Sequence, residues 1–90
     1  MKALIEFLGY ASMKAGREWL WVAIEKGETL YDVFLRRLTS TLDAKTAESL
    51  KAAFLRGELR IAVNGRVVDR FDVELNDGDR ILVFPMVAGG

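Results

Sequence analysis

Ninety residues, 51% of them hydrophobic and 29% charged, suffice for one small core and exclude two independently folded domains. Thirteen basic residues balance thirteen acidic ones, which argues against nucleic acid or an anionic membrane as a partner. With no cysteine and no histidine, disulfides, thiolate metal sites and the usual proton shuttle are out of reach.

The start, Met1-Lys2-Ala3-Leu4-Ile5-Glu6, lacks the apolar core of a signal peptide. No apolar run approaches the roughly 20 residues of a membrane-spanning helix, so a cytoplasmic protein is predicted. Ala3 to Leu8 alternates as a strand, with Ala3, Ile5 and Phe7 inward and Leu4 and Leu8 on the other face. Gly9 to Gly16 shows little periodicity and reads as a loop. Glu18 to Glu25 is a second strand, with Leu20, Val22 and Ile24 on one face and Trp19 and Trp21 on the other. An antiparallel hairpin is the simplest pairing of the two.

Helical spacing begins after Gly27-Glu28-Thr29. Thr29 and Asp32 resemble a capping box, and Leu30, Val33, Phe34 and Leu38 form one apolar stripe. Arg36 and Arg37 in the last turn read as a solvated helix end rather than an anion site. Thr39 to Leu42 reads as polar linker, followed by a shorter helix capped at Asp43, with Ala47, Leu50 and Phe54 inward and Gly57 as its stop. Leu59 to Val63 and Arg66 to Phe71 flank Asn64-Gly65, the strongest short hairpin signal. Val73 and Leu75 lead to the turn Asn76-Asp77-Gly78-Asp79 and a last strand, Arg80 to Phe84. Pro85 has no N–H to give and is expected to stop the ladder.

Beyond Pro85 the side chains shrink, through Met86, Val87 and Ala88, to Gly89 and Gly90. At an average glycine usage of about 7%, a terminal Gly pair arises by chance in about one chain in 200. Backbone without Cβ passes closely along another surface, so this tail suits a narrow tunnel. Two divisions follow: a folded domain over residues 1–85 and a flexible tail over 86–90.

The run Leu75-Asn76-Asp77-Gly78-Asp79-Arg80-Ile81-Leu82-Val83-Phe84-Pro85, with Val87-Ala88-Gly89-Gly90 after it, resembles the end of the small subunit of molybdopterin synthase, the MoaD type of ubiquitin-like sulfur carrier. Length and element order match over nearly the whole chain, although family members often carry a second proline where Met86 stands. The resemblance implies an α+β fold of the β-grasp type, a mixed sheet on one main helix with a second short helix. It places the last strand beside the first, in parallel, with Ile81 and Val83 toward the helix and Leu82 and Phe84 outward.

No residue pattern supplies catalysis. Ser12, Ser40 and Ser49 have no base to activate them. Asp69, Asp72, Glu74, Asp77 and Asp79 match no calcium loop and read as a solvated strand face and turn, so no metal site is predicted. What remains is the terminal carboxylate, ionised at neutral pH and unreactive toward sulfur until activated. The resemblance implies that a ubiquitin-activating-type adenylyltransferase, using ATP, adenylates Gly90, and that sulfur then replaces AMP to leave a thiocarboxylate. The large synthase subunit would receive the tail. The protein itself would bind no cofactor and would be a carried substrate rather than a complete enzyme.

Leu4, Leu8, Trp19, Trp21, Leu82 and Phe84 are expected to form one apolar docking patch beside Pro85 and Met86. A thiamine-pathway carrier and a protein modifier joined through Gly90 to lysines are the alternatives. The length and Phe84-Pro85 favour the molybdopterin branch.

Overall fold

The computed structural model describes residues 1–86. β1 (Lys2–Phe7) and β2 (Trp19–Ala23) form the expected antiparallel hairpin, with Leu4 opposite Trp21 and Glu6 opposite Trp19. Its connection is not the expected loop. Tyr10–Ala15 is a short helix, α1, in which Ala11 and Ala15 are buried one turn apart. Six residues with two small apolar positions leave almost no periodic signal to read.

The expected main helix, α2, is three contiguous pieces: α-helical Leu30–Asp32, a π-helical turn Val33–Arg37, and α-helical Leu38–Thr41. Both halves of the Thr29–Asp32 capping box are present. The predicted stripe of Leu30, Val33, Phe34 and Leu38 is fully buried. Thr39 to Thr41 therefore belongs to the helix and not to a linker. The hydroxyls of Thr39 and Ser40 bond back to the carbonyls of Leu35 and Arg37 (3.0 and 2.8 Å), which reconciles polar residues with helical backbone.

The second helix, α3 (Ala44–Leu55), has 12 residues and is not the short one expected. Asp43 caps it by accepting from Thr46 N–H. Ala47, Leu50 and Ala53 are buried, while Phe54 is only partly covered.

β3 (Leu59–Val63) and β4 (Arg66–Val68) meet at Asn64-Gly65, where both residues take positive φ (52° and 83°), as that turn requires. β4 is shorter than the predicted Arg66 to Phe71. The chain leaves the sheet so that the Phe71 and Val73 carbonyls can accept from Tyr31 and Leu30 N–H (2.9 and 3.0 Å), donors that the first turn of α2 cannot satisfy itself. β5 (Arg80–Pro85) closes the sheet, whose order is β2-β1-β5-β3-β4. β5 runs parallel to β1 and antiparallel to β3 at the centre. Ile5, Phe7, Ile61, Ile81 and Val83 point from the sheet into one core with α2 and α3. This is the β-grasp fold.

The strand ends at Pro85, as expected, but a lost hydrogen bond is not the reason. Leu8 N–H donates to Val83 O, and Met86 N–H donates to Glu58 O (2.9 and 3.0 Å). Alternation therefore aims the Pro85 nitrogen toward the end of β1, where no acceptor is left unserved. A proline costs nothing at that position.

Arg36 and Arg37 are not a free solvated end. They donate to opposite oxygens of Glu28 (2.8 and 2.9 Å), a residue only 5% exposed. The Arg37 hydrogen bond, helped by the Glu25 N–H, holds the Glu28 carboxyl below its ordinary value, against the opposing effect of burial. Because the folded value is lowered, this stabilisation is complete above the ordinary value of 4.5 and is lost as pH falls through the folded one. Glu28→Gln should cost about 2 kcal/mol at neutral pH, the scale of hydrogen bonds to charged groups. The same variant should lose less stability on acidification than the parent. Urea titrations above and below pH 4.5 check both, and parallel acid profiles would rule out this role for Glu28.

Candidate functional site

The candidate site is the end of β5, where the chain leaves the sheet. Parallel pairing with β1 puts Phe7 beside Val83, and Leu8 N–H extends that pairing one residue further. The chain then turns at Gly9, whose φ of +54° is left-handed and disfavours a side chain. An added Cβ there would also lie 3.6 Å from Pro85 Cγ, in ordinary contact. Gly9 and Pro85 thus pack backbone against ring at the root of the tail.

On the other side, the Met86 N–H bond to Glu58 ties this root to β3. Glu58 is itself held by Arg56 through two hydrogen bonds (2.8 and 3.2 Å), which lower its carboxyl. Met86 therefore begins the tail as an anchored residue with half its surface exposed. Beside it opens a cleft of about 350 Å³ between the end of α3 and the start of β3, lined by Leu55, Leu59, Arg60 and Met86 among others. The sequence offered no sign of this cleft, because it joins residues about 30 positions apart. Val87, Ala88, Gly89 and Gly90 lie outside the described residues.

The outer face of the sheet carries the other candidate residues. Trp19, Trp21 and Leu8 are exposed, whereas Leu4, Leu82 and Phe84 are half-buried; Pro85 is also half-buried but has the parity of Ile81 and Val83 and does not belong to this face. Register explains the arrangement: Trp21 lies opposite Leu4, Glu6 stands between Trp19 and Leu82, and Arg60 is opposite Phe84. The face is not the contiguous apolar patch that the sequence led us to expect. A Glu6–Arg80 ion pair (2.8 Å) crosses its middle, and Lys2 Nζ lies 4.7 Å over the Trp21 ring. Neither the ion pair nor the cation–π contact was legible, since both depend on neighbours in other strands.

The acidic cluster separates into two kinds. Asp69, Asp72, Glu74 and Asp77 are exposed as expected, but Asp79 is buried. Its oxygens accept from Asn64 Nδ2 and Asn76 N–H (2.8 and 2.7 Å), locking two turns together at the start of β5. Among the described residues no group of three or more His, Cys, Asp or Glu is placed to hold a metal ion. No helix among them is long and apolar enough to cross a membrane.

The ThiS family model matches residues 2–90. No curated protein matches the chain. A Pyrococcus furiosus protein named for molybdopterin converting factor, subunit 1, is 27% identical, with 97% of this chain and 99% of that one covered and a TM-score of 0.72. The complex of subunits 1 and 2 of molybdopterin-converting factor from Helicobacter pylori contains a chain 28% identical, with full coverage of both and a TM-score of 0.59. SAMP1 from Haloferax volcanii shares the fold at 18% identity, again with full coverage and a TM-score of 0.71.

Proposed function

Since the chain belongs to the ThiS family, we propose that it is a sulfur carrier acting as the small subunit of a molybdopterin synthase. The observation that carries this reading is the exit of β5. The central strand leads the chain through Pro85 to an anchored Met86, beside an outward face bearing Phe84 and Leu82. The likeness to two chains named for molybdopterin converting factor supports the choice of pathway.

In the proposed cycle the Gly90 carboxylate attacks the α-phosphorus of ATP on an adenylating partner and pyrophosphate leaves. Hydrosulfide released by a sulfur donor then attacks the acyl carbon and displaces AMP, losing its proton to leave a terminal thiocarboxylate. The domain presents the tail, and the partners supply the catalytic groups. In this reading the cycle runs in the cytoplasm, where ATP is available to the adenylating partner. Incubation with ATP, an adenylating enzyme and a sulfur donor tests the reading by intact mass. An oxygen-to-sulfur exchange, discharged on adding a synthase large subunit, is expected. Discharge only by a thiazole-forming partner would move the protein to thiamine synthesis, and lysine conjugates would make it a modifier.

Phe84→Ala probes the proposed docking face. Phe84 is half-buried, so truncation should cost stability only about 1 kcal/mol. A buried aromatic anchor at an interface is worth about 2 kcal/mol or more, so affinity for the large subunit should fall at least about tenfold. Denaturant titration and a binding isotherm on the same variant separate the two quantities. Unchanged affinity would remove the outer face from the docking surface.

A further inference from the structure

We propose that the outer edge of β2 is a self-pairing surface, on which a second copy of this chain docks antiparallel about Trp21. The hydrogen-bond parity of the hairpin sets which groups are free. Phe7 N–H donates to Glu18 O, and Ile24 N–H donates to Met1 O. Glu18, Leu20, Val22 and Ile24 therefore turn their backbone groups toward β1, and Trp19, Trp21 and Ala23 turn theirs away from it. Among the described residues β2 is the last strand on its side, and these groups form a row without backbone partners there.

The two sheet edges differ in how they are guarded. β4, at the far edge, has three residues and begins with Arg66, two features that blunt an edge. β2 reads Trp-Leu-Trp-Val-Ala, with no charge, proline or bulge to repel another strand.

A second copy is the occupant this edge fits. A strand that presents Trp19, Trp21 and Ala23 is self-complementary across a two-fold axis through Trp21, because each donor meets the matching acceptor of its mate. That register sets Trp21 against Trp21 and Trp19 against Ala23, and brings Arg17 of one copy and Glu25 of the other, each two residues beyond the strand, to the same end of the pair. Arg17 and Glu25 are exposed and opposite in charge, so the ends attract. Arg17 has no ion pair among the described residues, and Glu25 has only a long 3.9 Å approach to Arg37. The Trp19 and Trp21 rings stay on the outer face and extend it across the axis. β1 lies between this edge and β5, so pairing leaves the root of the tail clear.

Sedimentation equilibrium on the full chain, over a series reaching about 1 mM at the weak end of specific association, should show a mass rising from 10.1 kDa toward twice that value. Arg17→Glu and Glu25→Arg, each alone, should weaken dimerisation about tenfold, since two exposed ion pairs become repulsive. The two changes together should restore it, because the charges are exchanged and not lost. Both positions are exposed, and circular dichroism checks that each variant folds. A parent chain that remains at 10.1 kDa throughout overturns the proposal. So does a double variant as weak as the single ones, which would assign any dimer to another surface or register. Thiocarboxylate formation is measured separately, so either result leaves the carrier reading to its own test.

Discussion

Deleting Gly90 is expected to abolish thiocarboxylate formation while leaving the unfolding transition unchanged. The truncated chain still ends in a carboxylate, so the loss comes from position and not from missing chemistry. One residue fewer withdraws that carboxylate by about 3.5 Å from the adenylating centre. A displacement of only about 1 Å from the attack geometry can cost about 100-fold in rate, so product should be undetectable. The buried core ends at Val83, and the last described backbone bond is that of Met86. Stability should therefore change by less than about 0.5 kcal/mol, as for substitutions away from the core. Intact mass after incubation with ATP, adenylating enzyme and sulfur donor reads the first quantity, and thermal unfolding reads the second. A truncated chain that still gains sulfur would end the proposed mechanism.

Phe34→Ala should produce the largest loss of stability, about 3–5 kcal/mol. The ring is 2% exposed and lies edge-on to Phe71, with centroids 5.4 Å apart. Phe71 in turn packs against Phe54 at 4.5 Å. The three rings join the π-helical turn of α2, the segment after β4 and the last turn of α3. Truncation leaves a cavity where these three meet and removes an aromatic pair worth about 1 kcal/mol beyond its area. A domain of this size has about 5–13 kcal/mol in total, so a substantial share of the variant's margin disappears. Phe34→Leu keeps most of the volume and should recover more than half of the loss. Urea midpoints for the parent and both variants decide it. A loss below 1 kcal/mol for Phe34→Ala would show that the three elements are held together by something else.

Much of the fold was legible because it rests on local rules. The two face assignments in β1 and β2 follow from alternation, and Ala3, Ile5, Phe7, Leu20 and Val22 are all buried. The stripe of α2, its capping box, the Asp43 cap and the positive-φ pair Asn64-Gly65 follow from chemistry within a few residues of one another. The misreadings have a common cause. α1 was too short for periodicity to register, and the polar residues of Thr39 to Thr41 hid a helix that buried Leu38 and Leu42 hold in place. β4 ended early because its continuation serves the N-terminus of α2, a partner some 40 residues away.

The candidate site divides in the same way. The identity of the tail, the weak catalytic inventory and the outward direction of Trp19 and Trp21 belong to the sequence, since composition and strand parity are properties of the chain alone, whereas the direction of Phe84 came only from the family resemblance. Only the tertiary structure decided that Arg36 and Arg37 serve Glu28, that Asp79 is buried between two turns, and that a Glu6–Arg80 pair crosses the outer face. It also decided that Pro85 ends β5 without losing a hydrogen bond. The physical reason is range. Capping, turn and alternation energies act over a few residues and can be read in order, whereas ion pairs, burial and the free edge of a sheet depend on which strands become neighbours.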